Sequence, residues 1–569
     1  MSGRNIFRLS NWKVNMSLNP DELVFIPLGG SEQFGANLNV YGYKNKLLII
    51  DMGIGFADEY YPGVDILLPD PTYLEERKDK ITGMIITHAH EDHIGAVAHL
   101  WPRIKCPLFC TEFTAEILKK KLAENPECKG ARIRIIKQND AFSLTPFNLK
   151  LVPVSHSIPQ SSSVIIETDL GRVVHSGDWN LDPKPVLGEP TDEAQFKAIG
   201  ESGVLAYVGD STNAGVDGFS GSESDVEKGL AEVFKTCEKR IVVTIFASNI
   251  GRIRSICKAA EANDRSVAVM GRSLHRMIGA AKHCGYMDDV RDFVDEKDIS
   301  AIPRENIVVI ATGSQGEARA QIARIARGDQ RNVKLQEGDT VIFCARPIPG
   351  NEKEINFVQN RLAAARIRVI NPRDTQHTIH VSGHPARDEI KQMYDWLKPE
   401  IVVPVHGEKV MIKDQAELAR KSQIRHAIEP NNGSVIKLAP GAPEIVDHVH
   451  NGLLAVEPGR IISAGHVAIS ERRKLQITGT LTASIVINDE GNLIADPQIS
   501  TIGLIDQQDE EDIEFIEDLK DEIHDLIKTL KRKNISDYDM SEKIRIALRK
   551  DIHEVLRIKT KVIVHLVRI

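Results

Sequence analysis

The sequence predicts an α/β chain of several domains: a strand-rich domain split by an inserted doubly wound parallel sheet, then a small α+β domain. Three observations carry this expectation. The chain has 569 residues, several times the usual domain of ~150. Short apolar runs bounded by turn residues dominate up to about Asp210 and return after about Thr375, whereas strands alternate with helical patterns between them. Apolar residues make up 42% and charged residues 27%, enough for packed cores and too apolar for a disordered chain.

In order along the chain, Leu23–Ile26, Leu47–Ile50, Met84–Thr87, Leu149–Val152, Val164–Ile166 and Val173–His175 read as strands, most followed by polar, Gly-bearing loops. After Gly215–Ser222 the rhythm changes. Ser224 with Glu227 is placed to cap a helix whose apolar positions, Val226, Leu230, Val233 and Phe234, follow helical periodicity. Strands at 241–246, 266–270, 307–310, 340–344 and 367–370 then alternate with helices. Such a sheet binds ligands at the carboxyl ends of its strands, where Ala247-Ser248-Asn249 and Thr312-Gly313-Ser314-Gln315-Gly316 fall. A hairpin near Asp489–Asn492, an acidic helix near 510–530, a helix near 541–556 and a strand at 561–567 complete the chain. The boundaries that follow are 22–216 and 375–447 for the split domain, 217–374 for the insert, 448–468 for a linker and 469–569 for the C-terminal domain.

The net charge of -8 does not exclude a polyanionic partner. Eleven acids and one Lys lie between Asp506 and Asp525, which leaves the rest of the chain near +2, so basic grooves remain open to it. Seven scattered cysteines without a C-x-x-C pair read as reduced thiols. The N-terminal stretch lacks a leader pattern and no segment approaches ~18 apolar residues in a row. The expected location is the cytoplasm, away from membranes.

The chemistry concentrates in Thr87-His88-Ala89-His90-Glu91-Asp92-His93, directly after a strand. An H-x-H-x-D-H motif arises by chance in about one chain in a thousand of this length. Ordinary core or surface histidines are the plain alternative. The spacing suits two metals, with His88 and His90 projecting together from the strand end while Asp92 and His93 turn away as a helix begins. His156, Asp178 and His406, each after another apolar strand, are the further candidate ligands. Imidazole and carboxylate without thiolate suit two Zn2+ per chain, with Mn2+ as the alternative. Two cations about 3.5–4 Å apart can hold a hydroxide nucleophile and neutralise charge on an attacked phosphoryl group. Asp51, at the end of its strand, is placed to orient a ligand histidine; a turn-forming Asp is the alternative.

Asp51, His88-x-His90-x-Asp92-His93, His156 and Asp178 resemble the ordered motifs of the metallo-β-lactamase fold, an αββα sandwich. The insert, with Val381-Ser382-Gly383-His384 and Pro404-Val405-His406-Gly407-Glu408, is similar to the β-CASP nuclease branch. Gly209–Ala214, Phe246–Asn249, Thr312–Glu317, Ile348–Glu352 and His380–His384 narrow the resemblance to the bacterial ribonuclease J family, from about Leu23 to Val446. Gln160 stands where an acid is common, and the C-terminal domain is only loosely similar. The resemblance implies a processive 5'-to-3' exonuclease on 5'-monophosphorylated RNA, with some endonuclease activity, serving mRNA decay and rRNA maturation. It implies one metal on His88, His90 and His156, the other on Asp92, His93 and His406, with Asp178 bridging. His384 and Asp210 carry the β-CASP histidine and acid motifs, with His384 contacting phosphate. A homodimer or homotetramer and RNA-degradation complex proteins are the implied partners.

Hydrolysis of single-stranded RNA needs a phosphate-orienting or acidic group, and His384 is the best candidate, with Asp210 anchoring it. Ser382, Gly383 and His384 are the expected core of a pocket for a terminal monophosphate. Gly313 and Ser314 offer backbone N–H groups to RNA phosphate, against the alternative of a tight turn. Phe56 offers a stacking platform, against the alternative of core packing. Arg252, Arg254, Arg272 and Arg276 either face an RNA groove or coat a solvated helix. A DNA-directed β-CASP nuclease, a small-molecule ester or thioester hydrolase, and a non-enzymatic RNA scaffold are the competing functions.

Overall fold

Two sheets face each other around one apolar core. A computed structural model describes residues 18–348, 350–506, 508–531, 533 and 535–569; Pro349 of the Ile348–Glu352 motif and most of the N-terminal stretch lie outside the described residues. The first sheet has eight strands in the order Glu444–His448, Ser434–Ala439, Leu23–Gly29, Leu38–Tyr43, Lys46–Ile50, Ile81–Ile85, Leu108–Cys110 and Ile133–Ile135. The second has seven, ordered His426–Ala427, Ile401–Val405, Ala206–Asp210, Gly171–His175, Ser162–Thr168, Phe147–Pro153 and Ala141–Leu144. Alternate residues of both point inward, so Phe25, Tyr41, Leu48, Ile50 and Ile85 of one sheet pack on Leu149, Leu151, Val164, Ile166, Val208 and Val403 of the other. The outer face of the second sheet is covered by the helices Glu193–Glu201, Arg387–Leu397 and Lys409–Lys421, through a cluster that includes Trp179, Phe196, Tyr207 and Tyr394. This is the αββα sandwich.

Between the strands Ala206–Asp210 and Ile401–Val405, which pair in parallel register from Ala206 opposite Ile401 to Asp210 opposite Val405, the chain builds a five-stranded sheet. Its order is Ser266–Met270, Ile307–Ala311, Ile241–Thr244, Thr340–Phe343 and Arg368–Ile370, and every pair is parallel. Strands this apolar need helices on both faces, and the runs Val226-Leu230-Val233-Phe234 and Ile253-Ile256-Cys257-Ala260 supply buried stripes. The first of these helices starts earlier than the motif suggests. Ser222, not Ser224, is its cap, and its hydroxyl accepts from the Ser224 N–H.

One compact unit runs through Phe56 and resumes over Ile66–Leu454; the other combines Ala57–Asp65 with Ala455–Ile569. Residues 448–468, expected as a linker, carry the strands Leu453–Glu457 and Arg460–Ser463. The second unit also holds a three-stranded sheet, ordered Gln498–Ile502, Thr480–Ile487 and Lys561–Arg568. Its Leu481, Ala483, Ile485 and Ile487 pack on Leu519, Ile523 and Ile527 of the helix Glu510–Lys531 and on Ile544 and Leu548 of the helix Asp537–Leu556. The acidic helix is therefore amphipathic, with its carboxylates on the outer face. Among the described residues no helix is long and apolar enough to cross a membrane.

Candidate metal centre

Strand ends from both sheets converge at one place. Asp51 follows Lys46–Ile50, His88 and His90 follow Ile81–Ile85, and Asp92 and His93 sit in the single turn Glu91–Ile94. From the second sheet come His156 after Phe147–Pro153, Asp178 after Gly171–His175, Asp210 at the end of its strand, and His406 after Ile401–Val405. Asp51 and His406 turn sharply out of their strands through left-handed backbone, φ +62° and +56°, conformations that cost a non-glycine residue about 1–2 kcal/mol. The fold carries that strain where it aims side chains.

Beside a third group of Asp210, His384 and His406, two groups of potential ligand atoms share a carboxylate: His88, His90, His156 and Asp178, and Asp92, His93, His406 and Asp178. Asp178 belongs to both. Its Oδ2 lies 3.2 Å from His93 Nε2, 3.5 Å from His406 Nε2, 3.6 Å from His88 Nε2 and 3.8 Å from His156 Nε2. His90 Nδ1 is 3.0 Å from both His88 Nε2 and His156 Nε2. Ligand atoms at about 2.0–2.1 Å from a tetrahedral ion stand roughly 3.3 Å apart, so this spacing suits shared cations. Asp178 Oδ1 is buried with no hydrogen-bond partner, an orphan that a cation would satisfy. The residues fit a pair of metal ions.

The remaining ring nitrogens are also held. His93 Nδ1 donates to Asp51 Oδ2 at 2.7 Å, while Asp51 also accepts from the Thr87 N–H and hydroxyl, each at 2.8 Å. His88 Nδ1 lies 2.9 Å from Thr87 Oγ1, His156 Nδ1 2.6 Å from the Gly383 carbonyl, and His406 Nδ1 3.1 Å from Asn37 Oδ1. Each such contact sets the tautomer that leaves Nε2 free for a cation. A Cβ on Gly383 would come within 2.8 Å of the His156 ring, so only glycine permits that approach. Burial holds His88 and His90 well below the usual histidine range and His156 down at about 4. Neutral imidazoles are what a cation needs. Burial also acts to lower His93, but Asp178, Asp92 and Asp51 outweigh it.

Beside this centre, His384 Nδ1 sits 2.8 Å from Asp210 Oδ2 and 3.8 Å from Asp178 Oδ2. Burial opposes its charge, yet Asp210 and Asp178 prevail and raise it to about 9. Asn213 donates to Ser382 Oγ at 2.8 Å and to the His384 carbonyl at 3.2 Å, and Asn180 donates to the Ser382 carbonyl. Ser382 and Gly383 line a cleft together with His156, Ser157, Asn180 and Tyr286.

The other expected substrate residues do not gather there. His384, which stands beside the ligand cluster instead, and Ser248, Gly313, Ser314 and Phe56 are absent from the lining of that cleft. Ser314 is buried, and Gly313 has φ +111° with Ala320 and Ile322 within 2.7 Å of where a Cβ would stand, which is a tight turn against the following helix. Phe56 is 67% exposed, so core packing is excluded for it. Arg252 is interior rather than groove-facing, Arg254 pairs with Asp289 and Glu227, and Arg276 pairs with Glu124. Asn37 and Thr87 are orienting residues whose roles the motifs did not disclose; Thr87 is a polar side chain directly before the histidine run, whereas Asn37, just ahead of Leu38–Tyr43, carries no signal in the sequence.

A β-sandwich whose strand ends gather five imidazoles and two carboxylates is a metallo-hydrolase of the β-lactamase superfamily, and residues 60–196 match the family described as "Beta-lactamase superfamily domain". Residues 238–362 match "Ribonuclease J, beta-CASP domain" and 370–430 match "Zn-dependent metallo-hydrolase RNA specificity domain". Residues 467–569 match "Ribonuclease J C-terminal domain", which corrects the expectation that the resemblance ends near Val446. The chain is 42% identical to a ribonuclease J of Sinorhizobium meliloti over 96% of its own length and 98% of that protein. It is 34% identical to a ribonuclease J of Synechocystis over 85% of this chain and 76% of the relative. A crystal structure of a protein of unknown function from Enterococcus faecalis shares the fold, with a TM-score of 0.51 at 16% identity, covering 73% of this chain and all of that one. The chain belongs to the ribonuclease J family and is a hydrolytic ribonuclease of that family.

Proposed function

We propose that this protein degrades 5'-monophosphorylated single-stranded RNA from 5' to 3', with some endonuclease activity, using two Zn2+ (or Mn2+) ions, in cytoplasmic mRNA decay and rRNA maturation. The observation that carries this reading is Asp178, whose one oxygen lies within 3.8 Å of four histidines drawn from both ligand groups. His88, His90 and His156 would hold one ion and Asp92, His93 and His406 the other. Bound there, the ions supply an activated water at neutral pH and offset charge on the attacked phosphoryl group. The chain supplies the rest. Cationic His384, fixed by Asp210, offers a proton and a positive charge at the edge of the centre, to orient a phosphate oxygen or protonate the departing 3'-oxygen. Ser382 and Gly383 place a hydroxyl and a side-chain-free backbone in the adjoining cleft, where a terminal phosphate seats and selects the 5' end. Phe56, Ser248, Gly313 and Ser314 are left with weaker claims on the RNA.

Purified protein is tested on matched 5'-monophosphate RNA, 5'-triphosphate RNA and DNA. Fast digestion of the first alone is expected. Equal digestion of all three would return the DNA-directed reading, and cleavage of small esters alone would return the ester or thioester one. Asp92→Ala with His93→Ala should abolish cleavage while RNA binding persists; turnover surviving removal of the metal would refute the mechanism. A solution mass of two or four chains is expected for the homo-oligomer, the state in which RNA-degradation complex proteins would meet it.

A further inference from the structure

Arg252 occupies a helix position that suggests an RNA contact, yet it is 1% exposed. Its Nε and Nη2 fork onto the two carboxylate oxygens of Glu223. Nη1 donates to the Cys344 carbonyl at 2.8 Å and the Ile379 carbonyl at 3.4 Å and lies 3.3 Å from His380 Nδ1, and Nη2 donates to the Val381 carbonyl at 3.5 Å. Burying an ion pair costs several kcal/mol of solvation per charge and is often no more stabilising than apolar packing. A purely structural contact on the buried stripe of this amphipathic helix could be made as well by an apolar pair in place of Arg252 and Glu223. What the guanidinium adds is geometry: one rigid group holds Cys344, at the end of a strand of the parallel sheet, and three successive residues, 379–381, that run directly into Ser382-Gly383-His384.

The other end of the network also returns to the metal centre. The N–H of Glu223 donates to Asp182 Oδ2 at 2.8 Å, and Asp182 stands four residues beyond Asp178. Asn180, Asn213 and His156 hold the tip of the 382–384 loop; Arg252 holds its stem. We infer that Arg252, fixed by Glu223, is a positioning residue that sets the reach of the Ser382–His384 loop toward the RNA 5' phosphate. This rests on the reading that the loop receives that phosphate. Lysine cannot substitute, because one ammonium lacks the planar fork that spans a carboxylate and several carbonyls at once.

The test uses Arg252→Lys, with Glu223→Gln as a milder second variant, each in the full metal-loaded chain with unfolding temperature and metal content measured. Amide hydrogen exchange over residues 379–384 should accelerate in both while exchange over residues 86–93 stays as in the parent. On 5'-monophosphate RNA, kcat/KM of Arg252→Lys should fall roughly tenfold to a hundredfold, the scale of a misplacement of about 1 Å, chiefly through KM. On the same RNA with a 5' hydroxyl the loss should be smaller, because the displacement of His384 is then felt without the loss of a terminal-phosphate contact. Unchanged exchange in a folded variant overturns the inference, as does an equal loss on both RNAs. If the parent itself fails to distinguish the two ends, the phosphate-receiving reading fails, and the exchange data alone decide whether Arg252 positions the loop.

Discussion

Replacing Asp51 by Asn tests whether a group one step removed from the cations governs their binding. Asp51 accepts three hydrogen bonds, from the Thr87 N–H, the Thr87 hydroxyl and His93 Nδ1. An amide keeps one oxygen and turns an NH2 toward either the His93 and Thr87 side chains or the Thr87 N–H, so at least one donor faces another. The left-handed backbone at Asp51, φ +62°, is one that Asn adopts readily, so the substitution adds no backbone penalty. Loss of a charge-assisted bond costs about 1.5–3 kcal/mol, and outer partners of metal-bound histidines are worth 10–100-fold in affinity, or about 1.4–2.8 kcal/mol. The two estimates agree. Competition against a chromogenic chelator should show the site that contains His93 weakened by that factor and the His88–His90–His156 site weakened less, through Thr87 Oγ1, which links Asp51 to His88 Nδ1. Two site constants within twofold of the parent, or equal loss at both, would refute the reasoning.

Asp210→Asn keeps an acceptor for the Thr212 N–H but no longer stabilises a cationic His384; single-turnover cleavage should drop by about 10²–10⁴ with metal content intact. Glu389 is buried and accepts from the Leu181, Ser220 and Ala386 N–H groups and the Ser220 hydroxyl; Glu389→Gln sets an NH2 against those donors and should cost about 1–3 kcal/mol in urea unfolding. His380 is pushed down to about 3 by burial, Arg252 and Arg346. It stays neutral in the folded chain and takes up a proton on unfolding below about pH 6.5, so its contribution is full above that pH and is lost as pH falls toward 3. His380→Gln should therefore flatten the decline in stability between about pH 6.5 and 4; an unchanged slope in denaturant titrations would contradict this.

The proposed cation ligands were readable because four of them crowd into His88–His93, and the remaining three each follow a strand with buried apolar residues. Strand ends on facing sheets must meet at a rim, so periodicity alone brought His156, Asp178 and His406 into view. The parallel insert was readable for the same reason, its strands being buried on both faces. Arg252 was opaque because an Arg on a helix ordinarily reads as solvated, and its partners Cys344 and 379–381 lie about a hundred residues away in sequence. Asn37 was hidden by its ordinariness: an Asn at a loop suggests a turn until the His406 ring is seen against it. At Gly313 and Ser314 the glycine-rich pattern is explained by a close-packed turn against Ala320 and Ile322.

The parallel ladder that joins Ala206–Asp210 to Ile401–Val405 sets a timetable for synthesis. Domains fold as the chain emerges from the ribosome, and pairings distant in sequence form late. The earlier half of the sandwich must wait at an open edge while the whole intervening sheet is made, and His406 is the last ligand to leave the exit tunnel. On the proposed ligand set, a growing chain would carry an incomplete cradle until the translating ribosome has moved past the His406 codon.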